Sequence, residues 1–83
     1  MSHTVTWSER ASYTASRYLA DDREGLAQVL DATDTLADTP RPAGSIPYGS
    51  EDLHRLHIGR YRVLHEIYPA DETIVILHVG RVA

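Results

Sequence analysis

Arginine and histidine side chains are concentrated in residues 54–63 of this chain, where no acidic residue occurs. Arg55 and His57 alternate on one face of a predicted strand, and Arg62 follows a predicted two-residue turn on the next strand. Residues this close to a tight turn lie opposite or diagonal to each other, within reach of long side chains. Arg81 follows the last predicted strand, whose end is expected to approach the same region.

Three guanidinium groups and an imidazole in one patch suit an RNA phosphodiester. Arginine binds and neutralises phosphate and stabilises the charge that develops in the transition state. Histidine, whose pKa lies near neutrality, can transfer a proton to or from a 2′-hydroxyl or a leaving oxygen. The alternative is that Arg55, His57 and Arg62 form only the solvated side of a half-buried sheet. The residue types alone leave both interpretations open.

The other polar and aromatic side chains are interpreted mainly as packing residues. His65 and His78 lie within apolar runs and are expected to be core histidines, and Arg60 lies in a turn exposed to solvent. Tyr48 precedes the patch and either stacks on a base or packs within its loop. Because the histidines fall on different strand faces without a carboxylate at ligand spacing, no metal site and no cofactor are expected.

Length and composition limit the class of protein. Eighty-three residues make one domain, 1–83, and the absence of cysteine excludes disulfides. No signal-peptide pattern and no run of about 20 apolar residues is present, so a cytoplasmic protein without membrane contact is expected. The net charge of -4 argues against a generic nucleic-acid binder, although residues 39–83 hold five arginines against five acids.

The first half of the chain is predicted to form a strand and a helix hairpin. His3–Trp7 alternates as a short strand, and Ser8 is a helix N-cap. Asp21-Asp22 ends the first helix and caps the second. Prolines and a glycine in residues 39–44 end the second helix.

The second half is predicted to consist of strands. Leu53–Ile58 and Tyr61–Tyr68 are joined by a Gly-Arg reversal that favours a type II′ turn. Thr73–Val79 lacks clean alternation and is interpreted as a strand covered on both faces. The predicted order β-α-α-β-β-β is an α+β two-layer domain, an antiparallel β-meander packed against the N-terminal helix hairpin.

The segment Gly49–Ile67 resembles the central signature of the RelE/ParE toxin superfamily. Its most specific part is Gly59–Glu66, which matches Gly-x-Tyr-Arg-Val-x-x-Glu, and Ile74–Arg81 resembles the final strand of the family. The strand, helix hairpin and proline-containing loop occur in the same order and at similar lengths. The resemblance therefore covers essentially the whole chain and implies a RelE-like fold.

The resemblance implies a toxin of a bacterial type II toxin–antitoxin pair, with a cognate antitoxin as partner. RelE-type members bind the ribosome and cleave mRNA without a metal, by attack of the ribose 2′-hydroxyl. Carried over, Arg55 and His57 lie where RelE-like proteins place basic side chains around the scissile phosphate. Arg62 is the arginine of the Tyr-Arg motif, which contacts that phosphate. Arg81 lies beside the family's C-terminal arginine, whose own column holds Val82.

Three departures from the RelE pattern keep other functions open. Ile46 lies where RelE-like nucleases often have a basic residue, and the net charge is negative. The sequence to Ala83 also lacks the C-terminal aromatic residue that many active members use. These departures suit the ParE branch, whose members inhibit DNA gyrase, or a catalytically weak module that binds the antitoxin. The leading expectation is a ribosome-dependent mRNA endoribonuclease that arrests growth by inhibiting translation.

Overall fold

The computed structural model describes residues 2–82, which form two α-helices and five β-strands. In chain order they are β1 (Thr4–Trp7), α1 (Glu9–Asp21), α2 (Arg23–Thr35), β2 (Ile46–Ser50), β3 (Leu53–Ile58), β4 (Tyr61–Tyr68) and β5 (Thr73–Arg81). The predicted bounds of β3 and β4 are confirmed. Neither helix in this part of the chain is long and apolar enough to span a membrane.

The strands form one mixed sheet in the order β1-β5-β4-β3-β2. The predicted meander β3–β5 is antiparallel throughout, whereas β1 runs parallel to β5 at one edge. β2 at the other edge was not predicted, because its proline and glycine are poor strand formers. The helix hairpin packs on one face of this sheet, so the α+β two-layer arrangement is confirmed.

Both predicted helix caps are present and anchor the hairpin. Ser8 Oγ accepts a hydrogen bond from the backbone N–H of Ala11 at 3.0 Å, and Asp22 Oδ1 accepts one from Gly25 N–H at 3.1 Å. Asp22 also accepts a 2.8 Å hydrogen bond from the Tyr61 hydroxyl, and this bond is the main reason that the carboxyl pKa is lowered. A Cβ atom at Gly25 would lie 2.8 Å from the Tyr61 ring, so a glycine is required for this close approach.

The core lies between the hairpin and the inner face of the sheet. β4 alternates regularly, with Tyr61, Val63, His65 and Ile67 buried. The other buried apolar residues come from both helices, the turn after α2 and β5: Ala11, Ala15, Leu26, Val29, Leu36, Ile74, Ile76 and Val79. The opposite, outer face of the sheet carries no helix in the described part of the chain.

A β-bulge in β5 explains why its sequence does not alternate. Leu64 pairs with His78 but the next residue, His65, pairs with Ile76, so Leu77 is an extra residue. The buried side chains of β5 are consequently Ile74, Ile76 and then Val79. The prediction that β5 is covered on both faces is wrong, because only one face is packed against the helices. The bulge interrupts the alternation.

The two buried histidines fasten the loop after α2 to the sheet. The rings of His54 and His65 stack with centroids 5.8 Å apart. His65 Nε2 donates to the Pro40 carbonyl at 3.0 Å, and the Ser45 hydroxyl lies 3.0 Å from His54 Nδ1. His65 is fully buried, which confirms that it is a core histidine.

Stability is expected to fall as the pH drops below about 6.5 because His65 must remain neutral. Burial is the main cause that lowers the pKa of His65, and its Nδ1 atom is buried with no partner among residues 2–82. A proton there would create a buried donor without an acceptor, whereas the unfolded chain binds that proton freely. In urea unfolding between pH 8 and pH 5, the free energy of unfolding should fall more steeply with decreasing pH for the parent than for His65→Gln. Equal slopes would contradict this explanation.

Candidate functional site

Arg55, His57 and Arg62 lie together on the outer face of the sheet. In the antiparallel pair of β3 and β4, His57 is directly opposite Arg62, and Arg55 is opposite Leu64. The turn between them is the two-residue reversal that was predicted, with Gly59 at φ 59° and Arg60 at negative φ, as a type II′ turn requires. The predicted proximity of these three side chains is therefore confirmed.

His78 joins this face, contrary to the prediction that it is a core histidine. It is exposed and pairs with Leu64, so that Arg55, Leu64 and His78 form a row across β3, β4 and β5. In the next row, Gly80 is opposite Arg62. A Cβ atom at Gly80 would lie 3.3 Å from His78 Nε2, so the imidazole covers the glycine and lies on the β5 side of Arg62.

A groove of about 210 Å3 lies on the outer face, along the row formed by Arg55, Leu64 and His78. It is lined by Tyr48, Arg55, Arg62, Val63, Leu64 and His78. The guanidinium of Arg55 lies 5.5 Å from the centre of the exposed Tyr48 ring. That Tyr48 stacks on a base stays a prediction. Arg55 Nε is buried without a hydrogen-bond partner within the described residues.

The arginines make the outer face electropositive around His57. Arg62 Nη1 makes long hydrogen bonds to the carbonyls of Gly59 and Tyr61, at 3.4 and 3.3 Å, and its Nε and Nη2 atoms make none within residues 2–82. Desolvation, followed by repulsion from Arg62 and Arg55, lowers the pKa of His57. A lowered pKa keeps the imidazole neutral at pH 7, the form that accepts a proton.

Arg81 does not join the patch, and the expectation that it converges with the other three residues is wrong. It pairs with Tyr61, so its side chain is on the inner, helix-bearing face. Its Nη1 lies 2.6 Å from Asp21 Oδ2, and the guanidinium lies 4.6 Å from the centre of the Tyr18 ring. The hydrogen bond that Arg81 donates to the Asp21 carboxylate is the main cause that raises the pKa of Arg81. Arg81 therefore fastens the end of β5 to α1.

Arg60 also belongs to the inner side of the molecule. Its Nη2 lies 3.3 Å from Asp22 Oδ2, and half of its side chain is exposed. The expectation of an exposed turn residue is confirmed. With Arg60 and Arg81 held by Asp22 and Asp21, Arg55 and Arg62 are the arginines that the outer face presents.

The chain matches known toxin structures over nearly its whole length. It is 24% identical to a structure of the RelBE2 toxin–antitoxin complex from Mycobacterium tuberculosis, with a TM-score of 0.83, covering 99% of this chain and 100% of that one. It is 23% identical to the RelE–RelB complex from Pyrococcus horikoshii, with a TM-score of 0.82 and coverage of 98% and 96%. These likenesses establish the fold.

A ParDE structure from Pseudomonas aeruginosa is also similar, at 12% identity and a TM-score of 0.73, covering 98% of this chain and 97% of that one. No curated protein sequence matches significantly. The family model described as ParE toxin of the type II toxin–antitoxin system parDE matches residues 7–83. Because this match spans almost the entire sequence, the chain belongs to the ParE toxin family of type II toxin–antitoxin systems.

Proposed function

We propose that this toxin is a ribosome-dependent endoribonuclease that cleaves mRNA by attack of a ribose 2′-hydroxyl on the adjacent phosphate. The observation that carries the proposal is the buried, unpartnered Nε of Arg55 in a groove shared with Arg62 and next to His57. A buried donor without an acceptor is costly unless a ligand supplies one. A phosphate oxygen supplies a charged acceptor of the kind that guanidinium groups bind best.

The residues of the outer face have distinct roles in this reaction. Arg55 and Arg62 bind the scissile phosphate and stabilise the additional negative charge of its five-coordinate transition state. His57, kept neutral by desolvation and by the two arginines, accepts the proton of the attacking 2′-hydroxyl. This reaction needs no metal, since the arginines supply the positive charge.

The small size of the basic patch supports dependence on the ribosome. Two arginines on a chain of net charge -4 make too few phosphate contacts to hold free RNA at physiological salt. Cleavage by such a patch is expected to need an mRNA strand that another component already holds in an extended conformation. In this proposal the ribosome presents the mRNA strand. Because the ribosome holds the strand in a fixed position, the toxin does not need to bind free RNA tightly.

Expression in bacterial cells tests the proposal when mRNA 5′ ends are mapped after induction. The parent is expected to produce new 5′ ends at a fixed phase within codons, and Arg55→Ala combined with His57→Ala and Arg62→Ala is expected to produce none. Circular dichroism and antitoxin binding serve as controls for folding. Growth arrest by this triple variant equal to that of the parent would overturn the proposed activity.

Inhibition of DNA gyrase is the second candidate function, and the match of residues 7–83 to the ParE family model favours it. In that case the outer-face residues would have no role in toxicity. Induction would cause DNA damage and filamentation, with no codon-phased mRNA ends. The same induction experiment therefore separates the two functions, because it scores mRNA ends and DNA breaks in one culture.

An antitoxin protein is the proposed partner under either function. The similar structures from M. tuberculosis and P. horikoshii are toxin–antitoxin complexes. In this chain the hairpin carries an apolar groove of about 310 Å3, with Leu19 and Leu30 partly exposed at its rim and Ala15 and Leu26 within it. An amphipathic antitoxin helix fits such a groove by burying one apolar face.

A further inference from the structure

We propose that His57 and His78 act as an acid–base pair on opposite sides of Arg62, with His57 as the base and His78 as the acid. The proposal rests on the proposed endoribonuclease function and adds a second proton-transfer residue to it. His57 removes the proton of the 2′-hydroxyl. His78 donates a proton to the 5′-oxygen of the leaving nucleotide.

The strand register places one histidine on each side of the phosphate-binding arginine. Arg62 is on β4, the middle strand of the meander, with His57 directly opposite on β3 and Gly80 directly opposite on β5. His78 reaches the β5 side because its imidazole leans over Gly80. Neighbouring strands lie about 4.8 Å apart, so the two histidines are separated by about two strand spacings. That separation accommodates a phosphate bound to Arg62.

Because position 80 is a glycine, the imidazole of His78 can lie over it, on the β5 side of Arg62. Any side chain at 80 would stand on the outer face beside Arg62, in the volume that the imidazole now covers. The bulge at Leu77 is equally necessary, because without the extra residue His78 would face the core. Two local features of β5 thus direct His78 to the outer face beside Arg62.

The surroundings of the two histidines differ. His57 is directly opposite Arg62 and is not among the residues that line the groove, whereas His78 lines the groove together with Arg55, Arg62, Tyr48 and Leu64. The charged and titratable side chains that share the outer face with them are Arg55, Arg62, Glu66, Tyr48 and Tyr68. The two flanking arginines and desolvation favour neutral His57, which suits the base. His78 is then left to be the acid.

In-line displacement at phosphorus needs both proton transfers. The 2′-oxygen forms a bond to phosphorus as its proton passes to neutral His57, and the bond from phosphorus to the 5′-oxygen breaks as protonated His78 gives that oxygen a proton. The products are a 2′,3′-cyclic phosphate and a 5′-hydroxyl, and no electron, water or metal is consumed. The attacking and leaving oxygens lie on opposite sides of the phosphorus atom, as the two histidines do of Arg62.

Single-turnover cleavage of mRNA on purified ribosomes tests the pair. His78→Gln is expected to be about 100-fold slower than the parent, within the usual range for loss of a general acid. Gly80→Ala is expected to be slower as well, because the new methyl group displaces the imidazole of His78. Val75→Thr, on the same strand and the same face but away from the groove, is the matched control and should retain the parent rate.

An mRNA with sulfur in place of the 5′-oxygen at the cleavage site separates the acid from the base. A thiol has a pKa of about 8.5, so the 5′-thiolate can leave the phosphorus atom without being protonated. On this substrate His78→Gln should recover nearly the parent rate, whereas His57→Gln should remain slow. With ordinary mRNA, His78→Gln should lose the fall in rate at high pH, and His57→Gln should lose the fall at low pH.

The outcomes distinguish this inference from the function on which it rests. Cleavage of ordinary mRNA by His78→Gln at the parent rate would overturn the role of His78 and leave the endoribonuclease function intact. A rate that stays low on the sulfur substrate would overturn the assignment of His78 as the acid. A parent protein that leaves both mRNAs intact on ribosomes would overturn the endoribonuclease function and the histidine pair together.

Discussion

Arg62→Ala is expected to slow single-turnover mRNA cleavage on purified ribosomes by about 100-fold to 1,000-fold, the usual cost of losing one charged stabilising group. Arg62 lies on β4 between His57 on β3 and Gly80 on β5, and its Nε and Nη2 atoms make no hydrogen bond within the described residues. The loss should fall on the chemical step rather than on binding to the ribosome, because the charge at phosphorus increases only in the transition state.

Arg60→Ala is the matched control for Arg62→Ala. It removes the same charge two residues away, but from a side chain that contacts Asp22 on the inner side of the molecule. Arg60→Ala should cleave at nearly the parent rate. If both substitutions slowed cleavage equally, the effect would come from net charge, and the specific role of Arg62 in stabilising the phosphate would be wrong.

Tyr61→Ala is expected to destabilise the fold by about 3–5 kcal/mol, the range for truncating a large buried aromatic residue. Tyr61 is 1% exposed and is the largest of the fully buried side chains. Its ring packs edge to face with the ring of Tyr18, with centroids 5.5 Å apart, and its hydroxyl donates to Asp22. A small domain has few kcal/mol to lose, so much of this variant should be unfolded at 37 °C.

Tyr61→Phe separates the ring from the hydroxyl in the same measurement. It keeps the aromatic packing and removes only the hydrogen bond to Asp22. In urea unfolding monitored by circular dichroism, the free energy of unfolding of Tyr61→Phe should lie between those of the parent and Tyr61→Ala. A Tyr61→Ala variant as stable as the parent would show that the contact between β4 and the helix hairpin contributes little to folding.

Local signals in the sequence were sufficient for most of the fold. Ser8 and Asp22 each precede a helix and accept the hydrogen bonds expected of a cap. The alternation and the Gly-Arg turn defined β3 and β4, and with them the register that brings Arg55, His57 and Arg62 together. Each of these features depends on residues a few positions apart. Such features can be read from one sequence without knowing the tertiary packing.

One bulge accounts for both errors in the candidate site. Regular alternation from Ile74 and Ile76 would bury His78 and turn Arg81 outward. The extra residue Leu77 reverses the faces, so that His78 is exposed and Arg81 contacts Asp21. A bulge depends on how β5 pairs with the preceding strand β4, and no residue near Leu77 indicates in the sequence that a bulge occurs there. The prediction therefore included Arg81 in the site and left out His78.

The missed strand β2 has a different cause. Its residues, Ile46–Ser50, are all exposed, and they include a proline and a glycine. Only the backbone pairing with β3 makes this segment a strand, and that pairing contains an irregularity between Pro47 and Ser50. An edge strand without buried side chains has no hydrophobic pattern in the sequence. Tyr48, which β2 brings onto Arg55, could therefore not be placed.

The chemistry of the RNA ends produced by the purified toxin on mRNA-programmed ribosomes tests the central claim most directly. Attack by a 2′-hydroxyl through the groove of Arg55 and Arg62 predicts a 2′,3′-cyclic phosphate on one fragment and a 5′-hydroxyl on the other. Replacing the attacking 2′-hydroxyl with hydrogen should abolish cleavage at that site. Fragments carrying a 5′-phosphate, or intact mRNA together with inhibited gyrase, would contradict the account.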